Sequence, residues 1–297
     1  MMSETVKAGM IGLGIMGTAI SSNMIAGGLD VVGFDPDEKA ISRLRNSGGK
    51  PTRSAGEVAA LVDVVLTSLP STDALRDVAQ DIRENGRAGC VVAECGTLPI
   101  EDKRAAHDLL AEVDIVLLDC PLSGTGAQAA NKDLVVFASG DESSVSKCLP
   151  VFDAMSRETR YLGPFGNGMK MKLVANLLVS IHNVAAAEAL VLARKAGLDP
   201  QMTFDVLCTS AASSRMLEVR GPMMVERHYE PATMKNDVWR KDIELISAFA
   251  RGLNCPSPLF SVTDVLYASA RGQGMDKLDT ASVNAVLESL AGLSQKG

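Results

Sequence analysis

Aromatic side chains are scarce in this chain of 297 residues: they make up 4 %, with a single tryptophan, Trp239. A core must therefore be built from aliphatic groups. Ala, Val, Ile, Leu and 14 Met bring the hydrophobic content to 46 %, the mix expected of helices packed on a parallel sheet. A basic excess is also missing. Lys and Arg number 29 against 36 Asp and Glu, a net charge of −7, which argues against nucleic acid, a partner that demands clustered cations. No stretch reaches the roughly 18 uninterrupted apolar residues of a membrane helix, so no membrane partner is expected. The apolar stretch from Ala8 to Ile20 does not read as a signal peptide, because Glu4 sits in the would-be basic region and no cleavage site follows. The six cysteines (Cys90, Cys95, Cys120, Cys148, Cys208, Cys255) form no CxxC pair and no metal spacing. They read as buried or semi-buried thiols of a reducing compartment, which predicts a cytoplasmic protein without a metal site. No GxSxG and no Ser-His-Asp order is present, so hydrolase chemistry has no support.

What is present divides into two halves, as the length leads one to expect. In the first, near-continuous apolar runs at Val6–Ile11, Val31–Phe34, Val64–Leu69, Cys90–Glu94, Ile115–Asp119 and Leu134–Ser139 read as strands covered on both faces, with a weaker one near Arg160–Leu162. Helical patterns at Ile15–Ala26, Asp37–Asn46, Ser54–Ala60 and Glu101–Leu110 alternate with them, and Ser54 with Glu57 fits a capping box. This βαβα alternation predicts a doubly wound, mostly parallel sheet. After Gly168 strand signals stop. A helical pattern runs from Met169 to Ala196, Gly197 ends it and Asp199-Pro200 opens the next helix. The reading is an α/β domain over residues 1–166 and an all-α domain over 167–297, joined by the long helix.

Gly12-Leu13-Gly14-Ile15-Met16-Gly17 follows the first strand and opens the first helix. A lone GxGxxG is a weak signal, but in this context it is the dinucleotide fingerprint of a Rossmann domain. The first glycine permits a tight turn, the second lets backbone approach a pyrophosphate, and the third allows close helix–strand packing. Asp35, 18 residues after Gly17, ends the second strand where a carboxylate accepts hydrogen bonds from the adenosine ribose hydroxyls. The run Asp35-Pro36-Asp37-Glu38 repels a 2′-phosphate, with Lys39 and Arg43 as nearby compensators. NAD is therefore expected in preference to NADP.

The second informative segment is Gly163-Pro164-Phe165-Gly166-Asn167-Gly168-Met169-Lys170-Met171-Lys172-Leu173-Val174-Ala175-Asn176. A glycine loop leads into a largely apolar helix on which Lys172, Asn176 and Asn183 share one face. Polar groups on such a stripe need partners or a wet cleft. A lysine there can serve as general acid or base, whereas a snorkelling Lys172 with a core Asn176 is the structural alternative.

Together these residues resemble the β-hydroxyacid dehydrogenase family. Four motifs in order carry the likeness across nearly the whole chain: the Gly12–Gly17 loop, similar to GLGxMG; Asp119-Cys120-Pro121-Leu122-Ser123-Gly124, similar to DxPxSG; the glycine loop ending in Lys172 and Asn176; and Lys241-Asp242-Ile243, similar to KDL. The resemblance implies that Lys172 exchanges a proton with the substrate oxygen and that Asn176 holds the substrate beside it. It implies a carboxylate site at Ser123 and Gly124, cofactor contacts at Leu69, Pro70, Thr97 and Lys241, and a pocket-lining place for Ser214. The active site is expected in the cleft between the domains, with a small carboxylate as substrate and a homodimer or homotetramer as the assembly. Thr125, Gln128 and Lys132 stand where members carry glycines, Ala175 where a second Asn is frequent, and Gly96 where Ser is common. Thr125 thereby places a β-branched side chain at the substrate's carboxylate end.

Competing constellations are weaker. His107 reads as a solvated helix residue and His182 as packing. Met169, Met171, Met202, Met216, Met223 and Met224 read as core or pocket lining, and Arg215 and Arg220 as surface groups. An imine reductase-like enzyme resembles this architecture without a lysine at position 172. A decarboxylating 6-phosphogluconate-type enzyme is longer and needs cationic phosphate ligands. A catalytically silent dinucleotide-binding module has no use for Lys172, Asn176 and Ser123.

Overall fold

The computed structural model describes residues 7–293, so Glu4 and the expected strand start at Val6 lie outside the described residues. The chain parts into two compact units, Met1–Lys172 and Leu173–Gly297.

The first unit is organised on six parallel strands. These are β1 (Lys7–Ile11), β2 (Asp30–Phe34), β3 (Lys50–Pro51), β4 (Val64–Thr67), β5 (Val91–Glu94) and β6 (Val116–Asp119), in the order β3-β2-β1-β4-β5-β6. Side chains alternate across the sheet, and each set meets its own helices. Ala8, Met10, Val64, Leu66, Val91, Ala93 and Leu118 face one core with α1 (Ile15–Ala26), α2 (Glu38–Asn46) and α7 (Glu142–Met155). Ile11, Val65, Val92 and Leu117 face a second core with α3 (Ala55–Leu61), α4 (Thr72–Asn85) and α5 (Ile100–Ala111). Two buried faces explain why the strands read as unbroken apolar runs rather than alternating ones. The order reverses between β1 and β4, the switch point outside whose strand ends ligands bind in doubly wound sheets.

Two expected strands leave this sheet. β8 (Val135–Ala138) and β9 (Glu158–Tyr161) pair in parallel, and β8 pairs antiparallel with β7 (Leu122–Ser123), forming a separate three-stranded sheet. Pro121 supplies the reason: it stands two residues after β6, just past Cys120, whose N–H still bonds the Glu94 carbonyl at 2.9 Å, and has no N–H with which to extend the ladder. The chain turns there, and only an isolated Asp119–Ser139 bridge links β6 to the β8 strand's end. The capping box at α3 is also half formed. The Ser54 hydroxyl accepts the Glu57 N–H at 3.2 Å, but the Glu57 carboxylate accepts the Arg53 N–H at 2.8 Å instead of returning to Ser54.

The long helix α8 (Asn167–Lys195) starts in the first unit and continues into the second, which adds α9 (Pro200–Thr209), α10 (Arg215–Glu226), α11 (Asn236–Gly252), α12 (Pro258–Gly272) and α13 (Val283–Leu290). By length and composition α8 is apolar enough to cross a bilayer, with mean hydropathy 1.5 over 18 residues. Counting uninterrupted apolar residues overlooked it because Asn and Ser interrupt the run without lowering the average much. Yet 44 % of that window is buried in the protein, and its polar groups have internal partners: Asn183 Nδ2 donates to the Tyr267 hydroxyl at 2.8 Å and to the Thr280 carbonyl at 3.0 Å. Arg220 is likewise no surface group. It is 5 % exposed and pairs at 3.3 Å with Asp279, which further accepts N–H bonds from Thr233, Met234 and Ala281. Burial alone raises the Asp279 carboxyl, but Arg220 and those donors outweigh it and hold its pKa below the ordinary value. Arg215 is exposed as expected and pairs with Glu218. The methionine stripe splits: Met169 and Met224 are fully buried, whereas Met171 and Met202 face outward, since neighbouring positions on one helix point to different sides.

Core packing predicts the cost of cavities. Phe152 is fully buried between α7 and the sheet, so Phe152→Ala should lower unfolding free energy by about 3–5 kcal/mol. Leu253→Ala, at a site 62 % exposed, should stay within about 0.5 kcal/mol; denaturant unfolding of both variants checks the contrast.

Candidate functional site

The glycine loop at the end of β1 is shaped by contacts a side chain would destroy. Gly12 has φ +85, and a Cβ there would lie 2.3 Å from the Ser68 carbonyl oxygen. A Cβ on Gly17 would lie 1.8 Å from the Gly12 carbonyl oxygen, so α1 approaches β1 only because Gly17 has none. Gly14 differs: a Cβ there meets no protein atom within 4 Å. The loop is therefore tight at its first and third glycines and open at its second, and no side chain caps the α1 N-terminus. That combination fits a dinucleotide pyrophosphate, which needs close backbone approach and N–H donors at a helix start.

Asp35 follows β2 and braces the loop. Its Oδ2 accepts the Leu13 N–H at 2.6 Å and its Oδ1 the Asp37 N–H at 2.8 Å. A carboxylate offers about four lone-pair positions, so acceptor capacity remains for ribose hydroxyls. Asp37 is engaged as the cap of α2, while Arg43 donates to the Leu13 carbonyl at 3.2 Å and brings a cation to the same loop. Along the strand ends, Leu69 is buried against Gly12, Pro70 is exposed, and the Leu69 carbonyl lies close to Gly96, beside Thr97.

The loop after β6 meets the cofactor helix directly. Ile15, 83 % exposed, touches Gly126 at the start of α6 (Gly126–Ala130), and Asn23 Nδ2 donates to the Ala129 carbonyl at 2.6 Å. Ser123, Gly124 and Thr125 are thus set beside the glycine loop. Gln128 holds them from behind: its Oε1 accepts the Thr125 N–H at 3.0 Å, and its Nε2 donates to Asp133 at 3.1 Å. The glycine replacements have local consequences. Thr125 adopts an extended conformation open to any residue, whereas Lys132 is forced to φ +57, a region glycine enters without strain.

Lys172, half-buried on the first turns of α8, donates from Nζ to the Leu122 carbonyl at 2.7 Å, adjacent to Ser123. In the second unit, Asn176 lies one turn further along α8 and donates from Nδ2 to Asp242 at 2.9 Å, both residues being buried. Asp242 neighbours Lys241, which is partly exposed. Ser214 is the N-cap of α10, accepting the Leu217 N–H at 3.1 Å, and lines a cavity of about 300 Å³ with Ser213, His182 and Leu207.

Sequence reasoning missed the supports beneath these groups. Lys103 of α5 is 1 % exposed, with Nζ 2.6 Å from Glu94 Oε2 and 2.8 Å from Asp119 Oδ1. The signal was present, because Lys103, Ala106 and Leu110 share the buried stripe of α5. Burial alone would depress the Lys103 pKa, but the two carboxylates overcome it and raise it; burial raises that of Glu94 against the pull of Lys103. Glu94 also explains Gly96: its Oε1 accepts the Gly96 N–H at 2.7 Å and lies 2.6 Å from where a Cβ would sit. Asp242, behind Asn176, was the second omission, concealed by the adjacent Lys241.

Two family signatures match the chain. Residues 7–163 match the NAD binding domain of 6-phosphogluconate dehydrogenase, and residues 166–287 match the NAD-binding domain of NADP-dependent 3-hydroxyisobutyrate dehydrogenase. L-threonate dehydrogenase of Haemophilus influenzae is 30 % identical over the full length of both chains. The structure of Mycobacterium tuberculosis 3-hydroxyisobutyrate dehydrogenase with L-serine superposes with a TM-score of 0.87 at 29 % identity, covering 95 % of this chain and 99 % of that one. A 3-hydroxyisobutyrate dehydrogenase from Salmonella typhimurium gives 0.84 at the same identity and coverage.

Histidines and cysteines do not supply alternative chemistry. His107 is less solvated than expected, its ring 4.6 Å from Phe165, and His182 is exposed rather than packed. Cys90, Cys95, Cys120 and Cys148 are buried, and burial pushes all four thiols up, Cys90 and Cys148 to about 12. Cys255, expected to be covered, is exposed. Iodoacetamide at pH 8 should therefore alkylate Cys255 first, Cys208 more slowly and the other four only on unfolding; peptide mass spectrometry reads the order.

Proposed function

Because the chain belongs to the β-hydroxyacid dehydrogenase family, we propose that it moves a hydride between NAD and a small β-hydroxyacid or the matching semialdehyde, with Lys172 as general acid and base. The observation that carries this reading is the seat of the Lys172 amine on the Leu122 carbonyl, next to Ser123 and Gly124. A carbonyl accepts an N–H from an amine in either protonation state, more strongly from the ammonium. That contact seats the amine beside the loop in which the substrate carboxylate is placed.

In the oxidative direction Lys172 takes the hydroxyl proton as the carbinol carbon becomes a carbonyl, and in reduction it returns that proton to the oxygen. A bound nicotinamide accepts or supplies the hydride. Ser123 and the Gly124 backbone hold the substrate carboxylate, and Thr125 adds a hydroxyl at that end. Asn176, fixed by Asp242, orients the reacting oxygen, while Ser214 lines the pocket. On the cofactor side, Gly12 to Gly17 receive the pyrophosphate, Leu69, Pro70 and Thr97 line the dinucleotide, and Lys241 supplies a cation. Orientation and proton transfer of this kind contribute about 10²–10⁴-fold.

Lys172→Ala should lower kcat by about 10³-fold with the NADH dissociation constant within about twofold of wild type. Near-normal turnover on a panel of β-hydroxyacids and semialdehydes would refute the assignment. Three carboxylates within residues 35 to 38 support NAD over NADP, and we expect kcat/KM to favour NAD by at least about tenfold, or ~1.4 kcal/mol. Asp35→Ser should narrow that ratio, because Arg43 already stands on the Leu13 carbonyl. Equal efficiency of wild type with both cofactors would be the contrary result.

A further inference from the structure

Lys103 takes no part in the proton chemistry just assigned, yet its ammonium joins the loops on which that chemistry depends. Each of its two carboxylate partners engages a backbone N–H with its other oxygen. Glu94 Oε1 accepts from Gly96 at 2.7 Å, one residue before Thr97. Asp119 Oδ2 accepts from Met169 at 2.7 Å, in the first turn of α8, and from the Ser139 hydroxyl at 3.2 Å. The same Ser139 oxygen accepts the Gly168 N–H at 2.9 Å. Met169 lies one helical turn before Lys172, and Leu122, the acceptor of the Lys172 amine, lies three residues after Asp119. Donor and acceptor of the Lys172–Leu122 bond therefore both hang from Asp119.

We propose that Lys103 is a positioning residue that sets Lys172 through Asp119 and the loop carrying Thr97 through Glu94; this rests on the assignment of Lys172 as the proton-transfer group. Stability alone does not call for an ion cluster here. An apolar side chain of similar volume in a dry interior is frequently as stable as a buried salt bridge. What the ammonium adds is direction, because it fixes one oxygen of each carboxylate and so aims the other at a chosen N–H. Gly96 fits this account, since its missing side chain leaves room for the Glu94 carboxylate to fold back over the loop.

The isosteric variants Asp119→Asn and Glu94→Gln separate the two arms, and Lys103→Met removes both. Three quantities are measured: kcat with KM, the NADH dissociation constant by fluorescence, and the rate of reductive methylation of Lys172 by peptide mass spectrometry. The exposed Lys39 and Lys147 serve as internal references. Asp119→Asn should lower kcat by about tenfold or more, methylate Lys172 about threefold faster and leave NADH binding within about twofold. Glu94→Gln should weaken NADH binding by about fivefold while Lys172 labelling stays within about twofold. The double variant should fall short of the product of the singles, because both arms meet at Lys103. A shift in Tm alone, with kcat, NADH binding and Lys172 labelling unchanged in both amide variants, would overturn the proposal. The amide variants decide it even if Lys103→Met does not fold. Should the wild type turn over no hydroxyacid, the assignment of Lys172 falls, while the labelling contrast still decides the positioning role.

Discussion

A single buried ammonium, that of Lys103, holds together the part of this fold on which its chemistry depends. A protein tolerates two carboxylates buried around one cation only if other dipoles meet them. Here they do: the Met169 N–H lies at the positive end of a long helix, and the Gly96 N–H and Ser139 hydroxyl complete the set. Removing one partner of such a cluster typically costs about 3–5 kcal/mol, because the remaining charge is left unmet. Three segments far apart in sequence, the ends of β5 and β6 and the start of α8, are fixed relative to one another at one point.

The cofactor loop rests on a different constraint, close backbone approach. Gly12 and Gly17 remove side chains where atoms would otherwise overlap, and Asp35 ties the loop to β2 through the Leu13 N–H. Ile15 and Asn23 then carry that rigidity to α6 and the Ser123–Thr125 loop. Backbone contacts dominate on the dinucleotide side and ion pairs on the lysine side. The backbone side suits its task, since a pyrophosphate is recognised by N–H groups held in a fixed arrangement at a helix start.

Much of this was legible in the sequence for a physical reason. Strands buried on both faces give unbroken apolar runs, and a loop requiring backbone approach has to be glycine, so the parallel sheet and the Gly12–Gly17 loop announce themselves. The very short strands β3 and β7 offer no such pattern. β8 and β9 look like members of the main sheet because periodicity reports burial and not partnership; only Pro121 hints that the chain departs. Lys103 and Asp242 escaped because each sits in a charged run, Glu101-Asp102-Lys103-Arg104 and Arg240-Lys241-Asp242, that reads as solvated until its partners are known, and those partners lie 9 to 66 residues away in sequence. The exposed Cys255 and the outward Met171 and Met202 mark the converse limit, since an apolar residue type does not guarantee a buried position.

The two lysines differ in their surroundings. Lys103 is enclosed by two carboxylates that raise its pKa, so it keeps its proton and acts as a fixed cation. Lys172 is half-buried, and its Nζ donates to the Leu122 carbonyl. The acidity of the chain, which at first only made nucleic acid an improbable partner, therefore acquires specific positions. Glu94 and Asp119 fix the structural cation, Asp242 holds Asn176, and Asp35 braces the glycine loop.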